Sequence, residues 1–225
     1  MGGYDPFLRS SKAIYSGKTL PWTLGYVTEF WDGLTGITVT GQGVSTWVPV
    51  KGTHNFTQGT DGARPTYSNG VLTFNGSDEQ IVTGAFDINQ PCTVGIVFQQ
   101  ITFTNGDVIW RGLSNAVFLR QLDPTPQIEL VQTTTVPTSA LAVGAFGSVI
   151  SVANGAASSV KVNALAAVTG TIAAGDPDGF SLGANAGASA FSNIAVKAFW
   201  YANTALTDSQ QAQMARSLMQ RYSIA

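Results

Sequence analysis

The chain has 225 residues, a net charge of −2 and only 11% charged side chains, with 25 glycines. This length fits one large all-β domain with a sizeable core, and the low charge and many glycines argue against a long-helix protein or a disordered tail. No run of Lys or Arg supplies a basic stripe for nucleic acid, no apolar stretch is long enough to cross a bilayer, and the N-terminus lacks the basic start and apolar block of a signal peptide; the expectation is synthesis in the cytoplasm, with neither nucleic acid nor membrane as a partner.

Residues 1–30 form an irregular arm carrying Tyr4, Phe7, Tyr15, Trp22, Tyr26 and Phe30. So much apolar area on a tail predicts a docking role. The steps Gly2-Gly3, Asp5-Pro6 and Leu20-Pro21 give a bent, extended path, which suits a strap laid on another subunit rather than one completing its own core. Residues 31–225 are expected to be a single domain.

After Trp31-Asp32-Gly33 comes a turn-rich stretch, 44–67, and then "VLTFNGSDEQIV" at 71–82. There Asn75-Gly76 predicts a two-residue hairpin between alternating apolar positions. Strand-like runs follow at 93–99, 108–111, 116–121, 127–132, 148–152, 159–163, 179–182 and 194–201, at the spacing of a sandwich and without intervening helices. Ile128 and Leu130 alternate with Gln127 and Glu129, as expected of strands with one face inward.

The chain then changes character. Thr207-Asp208-Ser209-Gln210 is a capping box, Asp208 suits the positive end of a helix, and Ala215, Leu218, Met219 and Tyr222 make one apolar stripe. A single helix over 208–221 is predicted, packed by one face on the sandwich.

Chemistry-bearing constellations are sparse. Cys92 stands alone in the apolar run "CTVGIVF" and is expected to be a buried small hydrophobe; His54 is the single histidine available as a base. The three glutamates, Glu29, Glu79 and Glu129, lie far apart, so the close carboxylate pair of a glycosidase is not visible, and no nucleophile elbow, phosphate loop or Cys/His cluster occurs. From this the sequence predicts no enzymatic activity.

The ending "LGANAGASAFSNIAVKAFWYANTALTDSQQAQMARSLMQRYSI" resembles the close of the concanavalin A-like lectin/glucanase superfamily in its laminin-G-like branch, through Leu182-Gly183, Phe191, the strand 194–201, Ala205-Leu206-Thr207 and Leu218 with Tyr222. Two further blocks agree: Trp47, Asn55, Gln58, Arg64 and Pro65, and the Val71 hairpin. "SSVKVNALAA" is similar to a late hairpin of that family, although no Gly follows Asn163. Asn193 and Val196-Lys197 depart from its usual Gly and acidic residue. The resemblance implies an all-β, two-sheet antiparallel jelly roll capped by one C-terminal helix.

Domains of this texture are frequent in bacteriophage structural proteins, so the resemblance implies a virion component, a head-decoration, tail or fibre protein, whose arm binds copies of itself or other virion proteins. The alternative is a carbohydrate-binding module or adhesin for host-surface glycans. For such a site the candidates are Trp31, Trp47 and Tyr67 as platforms, with Asp32, Asn55, Gln58 and Arg64 as polar partners. No cofactor is expected other than a Ca²⁺ ion of the kind common in lectin-like sandwiches, for which the densest acidic loop offers Asp176 and Asp178.

Overall fold

A computed structural model describes residues 19–224, apart from 115–116, 133–134 and 138–139. Its described strands, numbered in chain order, form two sheets in which every ladder is antiparallel. The first, of eight strands, runs β15 (Val168–Gly170), β14 (Ser158–Val162), β13 (Phe146–Ala153), β8 (Cys92–Gln100), β17 (Asn193–Ala202), β6 (Val71–Asn75), β5 (Thr66–Ser68), with β1 (Glu29–Asp32) also on β17. The second, of nine, runs β12 (Thr135–Pro137), β11 (Gln127–Val131), β10 (Phe118–Leu122), β9 (Val108–Gly112), β16 (Phe180–Leu182), β7 (Ile81–Thr83), β4 (Phe56–Thr57), β3 (Gly43–Trp47), β2 (Ile37–Thr40). The helix, α1 (Asp208–Tyr222), closes the chain. The predicted β-sandwich with one C-terminal helix is the observed architecture.

Two apolar layers hold it together. Between the sheets lie Trp31, Trp47, Phe56, Phe74, Trp110, Phe180 and Phe199 in one cluster, with Phe180 and Phe199 edge to face at 4.9 Å. Between the first sheet and α1 lie Phe30, Val97, Ile150, Ala198, Trp200, Met214 and Leu218. β8 and β17 therefore bury both faces, which is why their sequences are nearly unbroken apolar runs rather than alternating ones. Gly95 sits opposite Trp200, and a β-carbon there would run into the indole, so the ring lies flat on the strand only because that position is glycine.

The capping box forms as read: the Gln210 N–H donates to Thr207 Oγ1 and the Thr207 N–H to Gln210 Oε1. The buried stripe differs from the expected one. It comprises Gln211, Met214, Ala215, Ser217, Leu218 and Tyr222, while Met219 is half-exposed. The Gln211 amide nitrogen donates to Leu206 O at 3.0 Å, the local carbonyl next to the cap, which satisfies one end of this buried side chain and leaves its Oε1 without a partner among the described residues.

Asn75-Gly76 does not make a hairpin. β6 belongs to the first sheet and β7 to the second, so this turn carries the chain from one sheet to the other, with Asn75 Oδ1 accepting from the N–H of Ser77 at 2.8 Å. The hairpin belongs to another Asn-Gly pair, Asn69-Gly70, between β5 and β6, whose φ angles of 50° and 82° suit a tight primed turn.

The described part of the arm, 19–30, packs on its own domain. Pro21–Thr23 form one 3₁₀ turn, Trp22 meets Phe30 with ring centroids 5.4 Å apart, Thr19 O accepts from Ser217 Oγ at 2.6 Å, and β1 pairs with β17 from Glu29 onward. For these residues the expectation of a strap on another subunit is corrected: Leu24, Val27 and Phe30 complete the layer under α1. Residues 1–18 lie outside the described residues.

Candidate functional site

The side chains singled out for glycan binding occupy different places. Trp31 and Trp47 are wholly buried; their indole N–H groups donate to His54 O at 3.0 Å and Asp32 O at 3.1 Å. They cannot serve as sugar platforms, because burying the aromatic area is what closes the inter-sheet core. Asp32 is also fully buried and paired with Arg221, and it accepts from Tyr222 Oη at 3.0 Å and the Leu34 N–H at 3.1 Å. Gln58 braces its own loop, donating to Gln80 O at 2.9 Å, and Arg64 ties the carbonyls of Thr40, Gln58 and Gly59 to Asp61. Tyr67 is half-buried against the core with its hydroxyl on Gly33 O. Only Asn55 stands exposed, and these seven residues do not converge on one surface.

Two carboxylates of β1 instead act as clamps. Asp32 holds the end of α1 through Arg221, whose guanidinium also lies over Trp22 at 4.5 Å; burial is the largest influence on Arg221 and opposes its charge, but Asp32 and Tyr222 together outweigh it and the pKa is raised. Glu29 accepts from the backbone N–H groups of Thr53 and His54 and lies 2.5 Å from His54 Nδ1, while the imidazole stacks on Phe86 at 3.9 Å. A concavity of about 160 Å³ next to the first clamp is lined by Leu34, Asn69, Lys197, Arg221 and Ser223. Its cations are engaged: Lys197 donates to Tyr222 O and lies over Phe146.

Cys92 is buried as expected, and burial pushes its thiol up to about 12, where it is no nucleophile at neutral pH. Asp176 accepts from the Gln90 N–H at 2.9 Å and Asp178 from Ser114 Oγ. Both carboxylates thus pin loops, and among the described residues no group of three His, Cys, Asp or Glu side chains is placed to hold a metal ion.

What remains is the outer face of the second sheet. Strand register places Thr38, Thr46, Thr57, Val82, Ser181, Arg111 and Phe118 in one continuous row across seven strands, from β2 to β10. At about 4.8 Å per strand this row spans about 29 Å. Their neighbours Ile37, Trp47, Phe56, Ile81, Phe180, Leu182, Trp110 and Leu119 point into the core, so the row points out. Thr38 and Thr57 are exposed, and Thr46, Val82, Arg111 and Phe118 are half-exposed; Ser181 alone is covered, by its own turn to Ala184 O. Here hydroxyls, one guanidinium and an aromatic ring stand on rigid strands. Sequence reasoning missed this surface, because membership of the row depends on which strands are neighbours.

No protein-family model and no curated protein sequence matches the chain. Among solved structures, the chain is similar to a Trypanosoma rangeli sialidase in complex with 2,3-difluorosialic acid, at 16% identity and TM-score 0.64 over 86% of this chain and 33% of that one. It is also similar to domain 4 of AbnA, a GH43 extracellular arabinanase from Geobacillus stearothermophilus in complex with arabinotriose, at 16% identity and TM-score 0.55 over 84% of this chain and 98% of that one. A GH54 α-L-arabinofuranosidase matches at 11% identity and TM-score 0.59, covering 86% and 59% respectively. The chain spans about a third of the length of the sialidases it matches, and at these identities the likeness shows the fold.

The expectation of no enzymatic activity is corrected by these matches, since the similar chains are named as a sialidase, an arabinanase domain and an arabinofuranosidase. The exclusion rested on motifs legible in sequence, a close carboxylate pair, a nucleophile elbow, a phosphate loop and a Cys/His cluster, whereas side chains far apart in sequence can meet only in the fold.

Proposed function

We propose that this chain is a carbohydrate-binding sandwich of the concanavalin A-like kind, with its glycan surface on the outer face of the nine-stranded sheet. The observation that carries the reading is the row of Thr38, Thr46, Thr57, Arg111 and Phe118 on that face, opposite a sheet whose own outer face is taken up by α1. Threonine hydroxyls donate and accept, matching the vicinal hydroxyls of sugars, and strands hold them with little conformational entropy left to lose. The similar arabinanase domain, which this chain matches over nearly its whole length, is described in complex with arabinotriose. The virion setting implied by the sequence resemblance concerns where such a module works; a glycan-binding face there would serve attachment to a host surface.

The test is an oligosaccharide array followed by calorimetry on the best binder. Thr46→Val with Thr57→Val removes two hydroxyls while keeping the side-chain shape, and should weaken binding by about tenfold or more, the size of one or two lost hydrogen bonds, at an unchanged melting temperature. No glycan bound on the array, or unaltered affinity in the valine pair, would overturn the reading.

A further inference from the structure

The two arginines beside Phe118 are not equivalent. Arg120, two residues along β10, lies over the ring at 5.7 Å, and its charge is neutralised by Glu129, a carboxylate 1% exposed and 2.6 Å away. Arg111, directly across from Phe118 on β9, lies over the same ring at 5.3 Å. Among the described residues Arg111 forms no ion pair, whereas Arg64, Arg120 and Arg221 each hold a carboxylate. The ring restrains the guanidinium on the sheet surface, leaving its N–H fork as the one uncompensated charge of the row.

We propose that Arg111 is the specificity residue of this face and selects saccharides that bear a carboxylate, of the hexuronate class. The inference rests on the carbohydrate-binding reading above and sharpens it. A planar guanidinium matches a carboxylate with two parallel hydrogen bonds, a geometry that a sugar hydroxyl cannot reproduce. Val82 and Thr57, two and three strands away along the row, lie where the rest of the saccharide would extend. Phe118 and the Arg120–Glu129 pair set the position of Arg111 from the other side, so the site is prepared before the ligand arrives.

The experiment compares trigalacturonic acid with its fully methyl-esterified form by calorimetry on the full chain and on Arg111→Gln and Arg111→Lys. The acid should bind the wild type about tenfold more tightly than the ester, as expected for one charge-assisted pair, and this preference should shrink as salt is raised. Arg111→Gln should abolish the preference, weakening the acid about tenfold more than the ester, and Arg111→Lys should restore part of it. Equal binding of acid and ester, or a preference that survives Arg111→Gln, overturns the inference and leaves carbohydrate binding standing. Failure of both ligands to bind, with no neutral glycan retained on the array, overturns both.

Discussion

The outer faces of the two sheets are built from opposite material. On the eight-stranded sheet Val97, Ile150, Ala198, Trp200 and Ala202 face outward and are sealed under α1 and the segment 22–30. On the nine-stranded sheet the outward row is Thr, Val, Ser, Arg and Phe, and no helix lies on it among the described residues. A sandwich needs only one apolar face per sheet, so a second apolar face marks a layer that must be covered and a polar one marks a surface left for solvent or ligand. The difference predicts where substitutions will cost stability and where they will cost only binding.

Placing a charge on each face tests this most sharply. Ala198→Lys would bury an ammonium beneath α1 and should cost more than about 4 kcal/mol, enough to prevent folding of a marginally stable domain. Thr57→Lys, on the bare face, should change stability by less than about 0.5 kcal/mol. Circular dichroism melts of the two proteins check it; similar losses would mean that the faces are not different in kind.

The clamp at the helix end is next in size. Asp32→Ala removes the carboxylate beside the Arg221 guanidinium, whose side chain is 7% exposed, and takes the acceptor from Tyr222, and removing one partner of such a buried pair costs about 3–5 kcal/mol. Leu218→Ala, under the same helix, should cost about 2–4 kcal/mol. Gln213→Ala, on the exposed side of α1, should cost less than about 0.5 kcal/mol. Urea titrations give all three; a small loss at Asp32 would mean that the helix end is held by packing alone.

The β-sandwich, the strands from 93 onward other than the short β12 and β15, and the capping box were legible because each is written locally, in alternation, turn residues and a four-residue motif. The choice among the Asn-Gly pairs was not, since each suits a tight turn and only the partner strands decide. Exposure of Trp31 and Trp47 was equally hidden: an indole is at home in a core or on a surface, and nothing nearby in sequence tells which. Asp32 and Arg221 stand 189 positions apart, so their pairing exists only after the first strand meets the last helix. Arg111 had one local sign, a charge beside Trp110 in an otherwise apolar strand, but its lack of a carboxylate is a fact about neighbouring strands.

The smallest effect concerns the turn between the two sheets. Glu79 is 8% exposed; burial raises its pKa above the usual 4.5, the hydrogen bond from the Asn75 N–H opposes that rise, and Asp78 next to it adds to it. A carboxyl with a raised pKa in the folded state takes up its proton there before the unfolded chain does. Its contribution to stability is therefore fully present below the unfolded value and is lost as pH rises through the folded one. Glu79→Gln keeps an acceptor oxygen for Asn75 and mimics the neutral acid, so it removes the penalty carried at neutral pH. The variant should melt higher than the wild type at pH 7, and the gap should close on descending to pH 4. Asp107, whose pKa burial also raises, is common to both proteins and cancels in the difference. A gap that stays constant from pH 7 to pH 4, or that widens toward acid, would show that this carboxylate is held charged by its turn rather than strained by its burial.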